Sequence, residues 1–194
     1  MIKPINERGS PVLYNTTIPV APIVQLKKET TSLTAANTEE LLPEGMMQTV
    51  KWQPHIIQLV ADLIDTAESM AERCLGLAAT QIWDGDPNEC PSIFVMRWPK
   101  KESKRNWDWA EFINPMIKTS GKTLKLEEGC LSYPGLVVKK ARSANITLVY
   151  QSLFEPRQRT FKLTRNQHRE LPHIIQHEID HLNGKCVRSP NFKG

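Results

Sequence analysis

His177-Glu178-Ile179-Asp180-His181, inside the longer run from Gln176 to Gly184, is the stretch of the 194-residue sequence on which the reading turns. Residues four apart stand one above the other on an α-helix, so both imidazoles can reach a single ion while Glu178 projects beside them. That arrangement is hydrolytic. Two histidines hold the ion, the ion acidifies a bound water, and the carboxylate takes the water's proton and can later return it to a leaving group. Gly184 is the residue expected just past the helix end. Pro172 either opens the helix or kinks it.

Two histidines do not complete a metal site, so a third ligand sets the class of the enzyme. The sequence after His181 contains no His, Asp or Glu, which excludes a downstream carboxylate ligand. A downstream third histidine fails as well, because Val187 holds the place where the extended helical zinc motif would put it. The ligand is therefore Cys186 or something upstream. Cys186 would have to fold straight back from the helix end, whereas Cys130 lies upstream in Glu127-Glu128-Gly129-Cys130-Leu131-Ser132, at a glycine-marked turn between two strand-like runs.

Around this centre the periodicity predicts an α+β fold. Ile56, Ile57, Val60, Leu63, Ile64, Ala67 and Met70 recur at three and four residues, which is one face of a helix, with Pro54 in its first turn. Ser92–Arg97, Glu111–Lys118, Leu136–Lys140, Ala144–Leu153 and Arg159–Leu163 are short β-branched and aromatic runs separated by turn residues. Little room for crossover helices lies between them, so the strands are expected to be antiparallel. The expected architecture is antiparallel sheets packed around a central helix that bears the two histidines, with one further long helix. Trp98 to Trp109 reads as a hairpin extension with aromatic anchors. Residues 1–45 show no sustained period and read as an extended, partly loose arm; the domain division expected is an arm over 1–20 and a single catalytic domain over 21–194.

Twenty-five basic against 21 acidic side chains leave a net charge of +4, too weak for a nucleic-acid binder. Lys100-Lys101 with Lys104-Arg105, and Lys139-Lys140 with Arg142, read as solvated loops and strand edges. No apolar run approaches bilayer length and the first ten residues lack a secretory core, so no membrane contact and a cytoplasmic location are expected. In that setting four cysteines are free thiols or ligands rather than disulfides.

Three motifs in order resemble those of the peptide deformylase family: Cys74-Leu75-Gly76-Leu77-Ala78-Ala79-Thr80-Gln81, Glu128-Gly129-Cys130-Leu131-Ser132, and Gln176 to Gly184. Ile113-Asn114-Pro115 is similar to a strand segment of the same family. The resemblance implies hydrolysis of the N-formyl group from N-formylmethionyl peptides, an N-terminal processing step that releases formate. It implies one divalent ion, Fe2+ or Zn2+, on Cys130, His177 and His181, and Glu178 as general acid/base for the attack of metal-activated water. The Gln81 amide and the Leu131 backbone N–H would donate to the developing oxyanion. Gly76 would let the substrate backbone approach, and His173 would line the methionine pocket, where an apolar residue is expected. Cys74 replaces the first glycine of the opening motif and reads as a small buried hydrophobe. The chain ends soon after His181, as in short organellar or phage-encoded members, so any contact with the ribosome would lack a C-terminal docking helix. The alternative function is that of a catalytically inactive relative that binds nascent chains or another protein.

Overall fold

The structure is a computed structural model that describes residues 1–28, 46–100 and 103–187. Among the described residues the strands and α-helices follow in the order β1 (Ile23–Lys28), β2 (Met46–Lys51), α1 (Pro54–Ser69), β3 (Gly76–Ala78), β4 (Ile93–Lys100), β5 (Ser103–Cys130), β6 (Tyr133–Gln151), β7 (Arg159–Thr164), α2 (Arg165–His168) and α3 (Leu171–Leu182). β3 to β7 form one five-stranded sheet in sequence order, every pair antiparallel. β1 and β2 pair separately. The fold is α+β, as expected, and Pro172 opens α3 rather than kinking it.

Strand parity explains how one sheet serves two helices. Successive side chains of a strand point to opposite faces. In β4, Phe94 and Met96 pack with Phe112, Leu148, Ile175 and Ile179 beneath α3. Ile93 and Val95 turn the other way and pack with Ile56, Val60 and Leu63 of α1. Burying each such side chain contributes about 1.5–3 kcal/mol. Ile57, counted in the α1 stripe from spacing alone, is 48% exposed, because it sits at the stripe's edge.

Several expected strands prove to be parts of longer ones. Glu111–Lys118 is the middle of β5, and Leu136–Lys140 and Ala144–Leu153 merge into β6; β5 and β6 pair along their length with register shifts near Asn114, Gly121 and Cys130. Trp98, Trp107 and Trp109 lie on the β4–β5 hairpin, opposite Asp108, Pro99 and Arg97. Asn114 has φ +50°, and its side chain bonds both the N–H and the C=O of Val20.

The N-terminal residues are tied to the domain. Asn6 N–H donates to the Gln81 carbonyl and Arg8 N–H to the Ser132 carbonyl, while Leu13 is fully buried against Tyr133 and Cys186. The part of the expected arm over 29–45 lies outside the described residues. Among the described residues no helix is long and apolar enough to cross a membrane.

Candidate metal centre and catalytic cleft

α3 presents His177 and His181 on one face, their ring centroids 5.0 Å apart. Cys130 is the last residue of β5 and sits at the tight turn into β6, opposite Tyr133. That turn aims its sulfur at the helix: Cys130 Sγ is 3.2 Å from His181 Nε2. One ligand atom from each of Cys130, His177 and His181 lies within 4.8 Å of the others, a group that could hold a metal ion. Cys186 is fully buried behind His181, its thiol donating to the Leu13 carbonyl.

The donor set fits a divalent ion on chemical grounds. His177 Nδ1 lies 2.8 Å from Glu128 Oε2, which leaves its Nε2 for the shared point; a carboxylate on the far nitrogen is the usual support of a metal-bound imidazole. Burial opposes charge on His177, but the Cys130 sulfur and Glu128 carboxylate push its pKa up to about 10. Burial and the neighbouring His177 hold the His181 pKa well below the ordinary value. The donor set thus offers one sulfur and two imidazole nitrogens around a shared point.

Behind these three residues stands a charge network that the sequence did not reveal. Glu128 is held by Arg142 through two bonds, Nε to Oε1 at 2.7 Å and Nη2 to Oε2 at 2.9 Å. Arg142 Nη1 also reaches Asp180 at 2.5 Å, and Lys140 Nζ reaches the same oxygen at 2.7 Å. Lys140 and Arg142 were expected in solvent; they are 8% and 6% exposed. The correction follows from parity: the even-numbered residues from Lys140 to Tyr150 all face inward. Ile146, Leu148 and Tyr150 meet apolar partners, whereas Lys140 meets Asp180 and Arg142 meets both Glu128 and Asp180. Burial works against ionising Glu128, yet the His173 and His177 rings beside it and its paired bonds to Arg142 hold its pKa well below the carboxylate range.

Glu178 is 3% exposed, and Oε2 has no hydrogen-bond partner. Burial is the main reason its pKa rises to about 7, against the attraction of His177 and Arg142. Gly76 shapes the space beside it, since a Cβ there would lie 2.6 Å from Glu178 Oε1. Gln81 ends a short 3-10 turn, Ala79–Gln81. Its Oε1 accepts from Ala78 N–H, which turns Nε2 toward Ser132 Oγ at 3.3 Å and Cys130 Sγ at 3.9 Å.

A cleft of about 760 Å³ opens onto these groups. Leu75, Gly76, Leu126, Leu136, His173 and Ile174 are among its walls, and Gln81, Cys130, Leu131, His177 and Glu178 reach it too. His173 borders the cleft, and its Nε2 also stands 2.9 Å from Glu128 Oε1. Cys74 also borders the cleft, but its thiol is 1% exposed, donates to the Gly76 carbonyl, and is pushed by burial up to about 12. The small-hydrophobe reading of Cys74 agrees with that placement.

A model of the polypeptide deformylase family matches residues 38–189. A peptide deformylase of Prochlorococcus marinus is 32% identical over 160 residues, covering 76% of this chain and 67% of the relative. One from Chloroflexus aggregans is 35% identical over 136 residues, covering 66% of this chain and 67% of the relative. The chain spans about two thirds of the length of the curated relatives it matches. Among solved structures, the peptide deformylase of Thermotoga maritima superposes with a TM-score of 0.65 at 24% identity, covering 96% of this chain and 95% of that one. That of a Vibrio parahaemolyticus bacteriophage, solved with actinonin, gives 0.61 at 24% identity, with 95% and 99% covered. At these identities the structural likeness speaks for the fold.

Proposed function

This chain belongs to the peptide deformylase family, and on that premise we propose that it hydrolyses the N-formyl group of N-formylmethionyl peptides, releasing formate. The observation that carries the proposal is the meeting of Cys130, His177 and His181, with Cys130, His177 and the adjacent Glu178 reaching one cleft. Those three residues would hold one divalent ion, Fe2+ or Zn2+; a thiolate and two imidazoles suit either. Bound there, the ion would supply Lewis acidity toward the formyl oxygen and toward water.

The chain's own groups do the rest. Glu178 takes a proton from water on its carboxylate and returns it to the amine nitrogen as the C–N bond breaks, giving formate and a free α-amine. A carboxyl drawn up to about 7 is matched to both halves of that task near neutral pH. Gln81 Nε2 and the Leu131 backbone N–H donate to the carbonyl oxygen as it gains charge, a contribution of several kcal/mol where water is excluded. Gly76 leaves room for Glu178 on one side and for an extended peptide on the other, and His173 stands in the wall that receives the methionine side chain.

An inactive binding protein is the weaker reading. Such a protein would gain nothing from a carboxyl buried with one oxygen unsatisfied, which costs stability. The test is metal analysis of anaerobically purified protein coupled to formate release from formyl-Met-Ala-Ser. One ion per chain with metal-dependent release supports the proposal; full metal occupancy without release favours the binding protein.

A further inference from the structure

Behind the first turn of α3 lies a void of about 10 Å³, the room that a single water occupies. It is bordered by the polar side chains of Arg142, Ser143, Arg165, Arg169 and His173 and is otherwise apolar. Most of these groups are already engaged. Arg142 is held by Glu128, Asp180 and the Gln176 carbonyl, and Ser143 Oγ donates to main-chain carbonyls. Arg169 is exposed. Three atoms remain: Arg165 Nη1 and both ring nitrogens of His173 are buried and without a hydrogen-bond partner. Leaving such groups unpaired costs about 1–3 kcal/mol each.

We propose that Arg165 and His173 share one water molecule in this void, and that this water makes His173 a positioning residue for the metal ligand His177. The water accepts from Arg165 Nη1 and donates to His173 Nδ1. Imidazole carries one proton when neutral, so a ring that accepts at Nδ1 keeps its proton at Nε2. Nε2 stands 2.9 Å from Glu128 Oε1, off the line of a formed hydrogen bond. Anchoring the other side of the ring turns that N–H onto the carboxylate. Glu128 then receives Arg142 and His173 on Oε1 and Arg142 and His177 on Oε2, which uses its full accepting capacity and stops it pivoting. A monatomic anion would instead need a donor at both ring nitrogens, an imidazolium in place of the singly protonated ring. Because His173 also borders the substrate cleft, the brace joins the substrate wall to the metal ligand.

The inference rests on His177 being a ligand, and its test separates the two. Zinc release to a chelator is followed in wild type, Arg165→Met, His173→Leu and His173→Gln, alongside nitrogen NMR of the histidine rings in the zinc-loaded wild type. We expect one zinc per chain in the wild type and a His173 ring protonated at Nε2. His173→Leu should release zinc roughly tenfold faster, the lower end of what lost outer partners of a ligand cost. Arg165→Met should release it several-fold faster, and His173→Gln, whose amide still donates to Glu128, should stay near the wild-type rate. A ring protonated at Nδ1, or release unchanged in both Arg165→Met and His173→Leu, overturns the brace while leaving the ligand assignment standing. A wild type that binds no zinc overturns the ligand assignment, and the brace with it.

Discussion

Gly76 and Glu178 face each other so closely that a single methyl group on Gly76 would lie 2.6 Å from the carboxylate oxygen Oε1. The glycine is therefore required by the enzyme's own carboxyl, apart from any need of the substrate. Gly76→Ala should displace Glu178 while leaving Cys130, His177 and His181 in place. We expect formate release to fall by about 10²-fold, the effect of misplacing a catalytic group by about an ångström, with metal content unchanged. Loss of metal in this variant would show that Gly76 acts on the ligands instead.

Glu128 and Glu127 are neighbours in sequence with opposite roles. Glu128 is 3% exposed and doubly bonded to Arg142, whereas Glu127 meets Lys139 at 3.7 Å on the surface. Glu128→Ala leaves the buried Arg142 without its main partner and should destabilise the protein by roughly 3–5 kcal/mol in denaturant unfolding. Glu127→Ala should change it by less than about 0.5 kcal/mol. Equal effects would mean that the buried network is not what fixes β5 and β6 to α3.

The contrast shows what the sequence made legible. Two histidines four apart share a helix face by helical geometry, and Cys130 was marked by its motif at a glycine-bearing turn, so the grouping of these three residues could be read in one dimension. The support behind it could not. Glu128, Arg142, Lys140 and Asp180 come from two strands and a helix, and their pairing exists only once the β5–β6 register is set. A signal was present in the even-numbered positions from Lys140 to Tyr150, but two basic residues at one end of an apolar stripe look like a solvated edge until β5 supplies Glu128 and α3 supplies Asp180 opposite them. The long pairing of β5 with β6 was hidden for a related reason: polar stretches such as Thr119–Thr123 have no apolar alternation, and the ladder carries them.

Cys130, rather than Cys186, is expected to be the thiolate ligand. Cys130→Ala should lose the metal and unfold more readily, since an ion bound only to the native state stabilises it by mass action; Cys186→Ala should keep the metal. Alkylation gives a second view. Only a thiolate reacts, and burial pushes Cys74, Cys90 and Cys186 up to about 12, so at pH 7 these stay protonated and silent. Removing the metal should therefore leave Cys130, the one cysteine that is not buried, as the thiol open to the reagent in the cleft wall. Labelling at Cys186 with retention of metal in Cys130→Ala would reverse the assignment.

His173→Ile replaces a polar ring in the cleft wall by an apolar one. With metal saturating both proteins, kcat/KM for formyl-Met over formyl-Ala substrates should shift toward methionine by ~1–2 kcal/mol, the usual worth of small apolar contacts. An unchanged ratio would place His173 outside the side-chain pocket and confine it to its contact with Glu128.

Glu178→Gln addresses the central claim most directly, because the amide keeps the shape of the side chain and cannot take the proton of water. Formate release from formyl-Met-Ala-Ser should drop by ~10²–10⁴-fold while metal content and thermal unfolding stay near wild type. A fully metallated Glu178→Gln protein that keeps more than about a tenth of the rate, far above what loss of general acid/base catalysis allows, would contradict the account.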